Sequence, residues 1–291
     1  MFVFLAQTFW DYAARARQTG RSQLVTIAYS HYVESARWCL DAAGVAYDEA
    51  GLAPGQHILP VISVRVAKDG GRHFASSSNV GGDKAKPSPT SVPVMVTPTG
   101  HVYNDSWAIA SSCSSLKQID DESLKLLLDE ELGPAVRGLA YVHLFKPHML
   151  AHFARMCTEG RHWFFRLIWF MGFGNYLITR MVKIFKTDDP KTRPDLESKV
   201  QAALDAIAAR LAAKKTKFLA GDEPGVADIF TASLIAVVVN PPEYGGRDNS
   251  LAKYVDEQER LDADYAQHIQ RWRAHPAGQY CLSLYASHRL K

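Results

Sequence analysis

SQLVTIAYSHYVESARWCLDAAGVAYDE, residues 22–49, is the stretch on which the fold turns. LVTIAY is a continuous apolar run with β-branched residues, the pattern of a strand buried on both faces. Ser30 and His31 stand where that strand gives way to a helix carrying Ala36, Cys39, Leu40 and Ala43 on one face. Gly44 is the usual residue just past a helix end, and Val45-Ala46-Tyr47 begins a second strand. The three elements form a right-handed βαβ unit when the strands are parallel. A second stretch, SVPVMVTPTGHVYNDSWAI (91–109), reads as a strand begun through Pro93, a turn at Thr99-Gly100, another strand, and a helix opened by Asp105-Ser106. Strands are expected near 23–29, 45–49, 93–97 and 101–104, in one sheet. A hydroxyl at one helix N-terminus and an acid-hydroxyl pair at another can hold a small anionic peptide between them, because free N–H groups there favour negative charge.

Between these stretches, HILPVISVRVAK alternates Ile62, Val64 and Val66, which predicts an extra strand or a packed loop. GGRHFASSSNVGGDKAKPSPTS follows and reads as a surface loop insertion near residues 68–90. Upstream, MFVFLAQTFWDYAARARQ places Phe2, Leu5, Phe9, Trp10 and Ala13 on a helical face, so residues 1–21 are expected to be a helical extension packed on the body. No basic residue precedes the apolar patch and no clear cleavage site follows it. An interfacial membrane anchor is the minor alternative for this segment. Organelle targeting stays open, since the segment has few acids and carries Arg15 and Arg17.

From Asp120 onward the periodicity is helical throughout. ESLKLLLDEELGPAVRGLAYVHLF and PDLESKVQAALDAIAARLAAK are amphipathic, and ADIFTASLIAVVV is apolar on nearly every side, as a central buried helix should be. WFFRLIWFMGFGNYLITRMVKIF, residues 163–185, approaches the length of a membrane span. Arg166, Asn175, Arg180 and Lys183 interrupt it, and Gly172-Phe173-Gly174 splits it into two shorter helices, so it is expected to be buried core or the lining of a ligand pocket. The chain thus divides into residues 1–21, an α/β domain of thioredoxin-like pattern over 22–115, and an all-helical domain over 120–291.

Composition narrows the partners. With 33 basic and 30 acidic residues the net charge is +3, and no basic stripe interleaves with aromatics, which argues against nucleic acid. Cys39, Cys113, Cys157 and Cys281 show no C-x-x-C or metal-ligand spacing, so they read as unpaired structural cysteines in a reducing, cytoplasmic setting. His143, His148 and His152 would share a helical face only if the helix survived Pro147, and neither a third ligand nor supporting partners can be named. No metal site is expected.

Ser30-His31-Tyr32-Val33 resembles the C-x-x-C turn of glutaredoxins with both sulfurs removed, which rules out disulfide exchange through this turn. The absence of a cysteine at Val33 also argues against thiol transferase or dehydroascorbate reductase activity. Taken alone, Ser30 reads as a helix N-cap and Pro93 as an ordinary strand start. Jointly, Ser30, Val92-Pro93 and Asp105-Ser106 resemble the glutathione-binding domain of cytosolic glutathione transferases. FLAGDEPGVADIFTASL continues the resemblance into the helical half, with Asp228 in a capping position and Gly225 where the family usually has serine or threonine. SHYVESARWCLD, NPPEYGG and WRAHPAGQYCLSLYASHR look like a bacterial or algal subgroup of such proteins, here with a serine-type turn.

The resemblance implies a thioredoxin-like domain followed by an all-helical one, acting as a homodimer in detoxification. Glutathione would be co-substrate and a hydrophobic electrophile the other substrate. Ser30 would be catalytic, donating a hydrogen bond to the glutathione thiolate, with Tyr29 and Tyr32 as rival donors. Val92, turned by a cis Pro93, would pair its backbone with the cysteinyl part. Asp105 and Ser106 would bind the γ-glutamyl end. Trp107, Tyr141 and the aromatics from Trp163 to Trp169 are candidate walls for the electrophile pocket, and Glu243-Tyr244 would lie in a turn or near substrate. Arg37 resembles a family arginine that ties helix to helix. The alternative is a non-catalytic binding protein of the same fold, carrying hydrophobic ligands or protein partners, since function resides in the site and not in the fold.

Overall fold

The apolar run after Arg21 forms β1 (Ser22–Ile27), in which Leu24, Val25 and Thr26 are fully buried. The computed structural model describes residues 11–66, 90–246 and 250–289, so the readings for residues 1–10 and for the loop near 68–90 lie outside the described residues. Two compact units divide the chain, Met1–Gln118 and Ile119–Lys291.

In the first unit β1 pairs in parallel with β2 (Tyr47–Leu52), and helix α2 (His31–Ala42) connects them. The helix stops as its sequence dictates: Ala43 is the C-cap, and Gly44 takes φ 66°, a left-handed conformation that only glycine adopts without steric cost. β3 (Val94–Val96) runs antiparallel to β1, and β4 (Val102–Tyr103) antiparallel to β3, giving a four-stranded sheet in the order β2-β1-β3-β4. The Val92–Pro93 peptide is cis, as expected. Tyr12 of α1 (Tyr12–Thr19) packs in one buried cluster with Val25, Leu52, Val94, Val96 and Val102 of the sheet. The described part of the N-terminal extension is therefore a helix built into the core.

One local reading is corrected. Ile62, Val64 and Val66 belong to a helix, α3 (Ile58–Val66), and not to a strand or loop. Pro60, Val61, Val64 and Arg65 are its buried positions, and Val61 and Val64 complete the Tyr12 cluster. The alternation of β-branched residues is real, but packing against the sheet at helical spacing overrides the weak β preference it carries. Pro60 is tolerated because it falls in the first turn, where the missing N–H has no helical partner.

The second unit is helical; among the described residues every strand precedes Asn104. It contains α5 (Glu122–Leu126), α6 (Gly133–Leu144), α7 (Leu150–Thr158), α8 (Trp163–Ile168), α9 (Gly174–Phe185), α10 (Thr192–Ala213), α11 (Val226–Val239), α12 (Ser250–Leu261), α13 (Ala263–Arg273) and α14 (Pro276–Leu284). The central helix is α11, buried along nearly its whole length as its uniform apolar sequence requires. Asp228 fastens its start: the carboxylate accepts from the backbone N–H of Leu219 (2.6 Å), Ala220 (3.0 Å) and Gly225 (2.9 Å), and from the Tyr280 hydroxyl. With glycine at the cap, only the acidic half of a capping box exists.

The histidine reading is settled by Pro147. A 3₁₀ turn at Pro147–Met149 separates α6 from α7, so His143, His148 and His152 do not share one helix. All four cysteines are buried and none forms a disulfide. Tyr244 is buried in the turn after α11, edge-on to Tyr285, where it acts as core. No described helix is long and apolar enough to cross a membrane.

Candidate glutathione site

Sheet register brings the predicted site residues to one edge. β1 and β3 pair as Val25↔Val94, so continuing the antiparallel register sets Val92 beside Ile27 at the carboxyl end of β1. β3 and β4 pair as Met95↔Tyr103, and the same continuation sets Asp105 beside Pro93. Ser30 closes the turn leaving β1, its N–H donating to Ile27 O at 3.0 Å. The Ser30 turn, the cis Val92–Pro93 peptide and the Asp105-Ser106 helix start therefore share one end of one sheet. α2 also packs on α4 (Ser106–Ser112), so the two helices opened by Ser30 and Asp105 are neighbours.

The two helix starts differ. Asp105 caps α4, its carboxylate accepting from Ala108 N–H at 2.7 Å. Ser30 is the N-cap residue of α2 by position, yet its half-buried side chain makes no capping hydrogen bond. The plain capping reading of Ser30 therefore does not describe what its hydroxyl does. Ser106 is buried at the first position of α4, and Val33, in the place of the second redox cysteine, is fully buried. Tyr29 and Tyr32 flank the turn half-buried, Tyr32 with its ring 4.3 Å from that of His31.

Two arginines brace this edge. Arg37 on α2 forks onto Glu49 of β2, with Nε–Oε2 at 2.8 Å and Nη2–Oε1 at 2.6 Å. It also donates to the carbonyl of Ala28, at 3.1 and 3.2 Å, two residues before Ser30. This corrects the helix-to-helix reading: Arg37 ties its helix to a strand and to the turn that leads into Ser30. Burial disfavours its charge, but the carboxylates of Glu49 and of fully buried Glu34, 3.6 Å away, outweigh that and hold it above its ordinary value.

Arg65 is the residue that sequence reasoning missed. Buried to 2% exposure, it donates to Asn104 O (2.7 Å), Asn104 Oδ1 (3.3 Å), Ser91 O (3.1 Å) and Ser91 Oγ (3.2 Å). It thus joins the residue before Val92-Pro93 to the residue before Asp105-Ser106. Burial lowers its pKa, and the charge of Asp105 partly offsets this. Its signal in the sequence was a single arginine in an apolar run, which became readable only once the run was known to be a helix.

The aromatic wall candidates separate. Trp169 is core, 3% exposed and packed on Phe153, Phe165 and Phe173, whereas Trp163 is 61% exposed. Residues 163–185 are thus not uniformly buried core, the first of the two expected readings. Tyr141 stacks on Phe145 at 5.1 Å within its own unit. His143, Asp262 and Asp264 place one potential metal-binding atom each within 4.8 Å of the others. The Lys146 ammonium already sits on both carboxylates, at 2.6 and 2.7 Å, and Arg193 binds Asp264 at 2.7 Å. Those side chains supply the cations that the carboxylates need.

Residues 190–276 match the family model described as glutathione S-transferase, C-terminal domain. No curated protein matches the chain. The chain is similar in structure to a glutathione S-transferase from Ceriporiopsis subvermispora in complex with glutathione, at 18% identity and TM-score 0.48, covering 88% of this chain and 97% of that one. It is also similar to a glutathione transferase from Phanerochaete chrysosporium in complex with oxidised glutathione, at 12% identity and TM-score 0.46, covering 92% and 98%. A third, a glutathione S-transferase from Methylobacillus flagellatus with glutathione bound, has 14% identity and TM-score 0.42, covering 89% and 98%. The family match thus lies within the helical unit, at residues 190–276, while the other unit carries a four-stranded sheet with a cis proline just before β3.

Proposed function

We propose that the protein is a serine-type glutathione transferase that joins the glutathione thiolate to a hydrophobic electrophile. The observation that carries this reading is the Ser30 hydroxyl. It stands at the start of α2 without a capping bond, at the sheet edge shared by Val92-Pro93 and Asp105-Ser106. A free thiol of pKa ~8.5 is mostly protonated at neutral pH. A hydroxyl donor and the helix N-terminus both favour the anion, and a shift of two units corresponds to roughly 2.7 kcal/mol. In this reading Val92 pairs its backbone with the cysteinyl part and Asp105 accepts from the γ-glutamyl ammonium. Ser106 donates to the γ-glutamyl carboxylate. Four buried thiols outside any disulfide suit a reducing, cytoplasmic setting, and the homodimer is inferred from the family resemblance.

The test follows the thiolate absorbance of the glutathione complex against pH in wild type, Ser30→Ala, Tyr29→Phe and Tyr32→Phe. Ser30→Ala should raise the thiol pKa and slow conjugation at about pH 6.5, below the free value of ~8.5, while leaving glutathione binding nearly unchanged. A curve moved only by a tyrosine variant would assign the role to that phenol. A curve moved by none of the three would leave a non-catalytic glutathione-fold binding protein. Ser106→Ala should weaken glutathione binding by roughly 1.5–3 kcal/mol, the range for a hydrogen bond to a charged group, as read by calorimetric titration.

A further inference from the structure

Six of the ten large hydrophobic side chains exposed among the described residues fall within α8, the π-helical turn Trp169–Phe173 that continues it, and α9. They are Trp163 (61%), Leu167 (47%), Phe170 (68%), Met171 (78%), Tyr176 (59%) and Ile184 (62%). Scattered exposed apolar residues need no explanation, but this concentration does. Trp163, Leu167, Phe170 and Met171 follow the spacing of a single helix face. Phe165 and Trp169, on the opposite side, are each 3% exposed. The helix is apolar on both sides, and the unit covers only one of them.

Charge identifies what the uncovered side meets. From Gly160 to Thr187 the chain carries Arg161, Arg166, Arg180, Lys183 and Lys186 and no aspartate or glutamate, against a near-balanced total elsewhere. Arg166, Arg180, Lys183 and Lys186 are exposed and form no ion pair with any described residue; Arg180 donates to the Tyr176 hydroxyl at 3.1 Å. The positive charge is therefore available to a partner. Aromatic and aliphatic side chains interleaved with unpaired Arg and Lys make the face that sits in the headgroup region of a bilayer. The breaks at Gly172 (φ 124°) and the charged positions make it a face that lies on a membrane and does not cross it, in accord with the absence of a membrane-spanning helix among the described residues.

We propose that the α8–α9 face docks the protein reversibly on an anionic lipid surface, with Trp163, Leu167, Phe170 and Met171 inserted among the headgroups and Arg166, Arg180, Lys183 and Lys186 on the lipid phosphates. The full chain is sedimented with vesicles of phosphatidylcholine alone and with vesicles in which about one third is phosphatidylserine, at low and high salt. Binding should be at least about tenfold stronger to the anionic vesicles and should weaken with salt, as polybasic attraction does. Phe170→Glu with Met171→Glu should remove it, and Arg180→Gln with Lys183→Gln should weaken it about tenfold. The second pair changes only exposed charges, so it reads the surface even if the first disturbs folding. No sedimentation, or equal binding to both vesicle types, would overturn the proposal. So would a dimer that light scattering finds in wild type and not in the Phe170/Met171 variant, with no vesicle binding, since the face would then belong to a second copy of the chain.

Discussion

Cutting the bond between Arg37 and Glu49 should loosen the start of α2. The pair is bidentate, with contacts of 2.6 and 2.8 Å, and the side chains are only 8% and 25% exposed. Removing one member of a buried pair costs about 3–5 kcal/mol, mostly because the other charge is left without its partner. Arg37→Met belongs at the upper end, since it takes the guanidinium from the Glu49 carboxylate and from the Ala28 carbonyl as well. Glu49→Gln should cost less, about 2–3 kcal/mol, because the amide keeps an acceptor and Glu34 remains 3.6 Å from the guanidinium. The double variant should then be less unstable than the sum of the two, with a coupling of about 2 kcal/mol. Urea unfolding gives the three free energies, and hydrogen exchange of the Val33–Leu40 amides localises the loss to α2. A coupling under about 0.5 kcal/mol would show that the pair acts as two independent surface groups, and the bracing role argued for Arg37 would fall with it.

Arg65→Met should weaken glutathione binding about tenfold, because the Ser91 and Asn104 segments lose their common donor, while Arg65→Lys keeps the charge but not the fork and falls between. Equal calorimetric affinities for both variants and wild type would remove Arg65 from the site. Asp228→Ala should destabilise the helical unit by about 3 kcal/mol by orphaning the Leu219, Ala220 and Gly225 N–H groups, and Asp228→Asn by less; an unchanged urea midpoint would contradict this. Burial, followed by the charges of His268, Lys146 and Arg193, pushes fully buried His143 down to about 3. Its folded pKa lies below the unfolded value of 6.5, so the unfolded chain takes up the extra proton. Stability is fully present above 6.5 and is lost as pH falls from there toward 3. His143→Leu should therefore lessen the loss of stability on acidification, at little cost at neutral pH, since neither ring nitrogen has a hydrogen-bond partner. Parallel stability-versus-pH curves for the two proteins would refute it.

Local chemistry made the α/β half legible. β1, α2 and its Gly44 stop follow from period, β-branching and cap residues that act within a few positions of one another, and so do the Asp105 and Asp228 caps. The helical character of the second half was likewise written in its repeat, whereas whether the helix survives Pro147 was left open and the structure breaks it there. What the sequence could not carry is which neighbours each side chain meets. The run around Ile62 holds both a strand pattern and a helix pattern, and only the core into which Val61 and Val64 fit chose the helix. The same choice buried Arg65 between Ser91 and Asn104, residues far away in the chain. It was sheet register, a long-range quantity, that brought Ser30, Val92-Pro93 and Asp105-Ser106 to one edge, whereas in the sequence they were joined only by a family resemblance. The stretch from Trp163 to Phe185 carries large apolar residues on more than one side, so periodicity could not say which face is covered. Burial is a property of the packed chain: the unit takes in Phe165 and Trp169 and leaves Phe170 and Met171 outside.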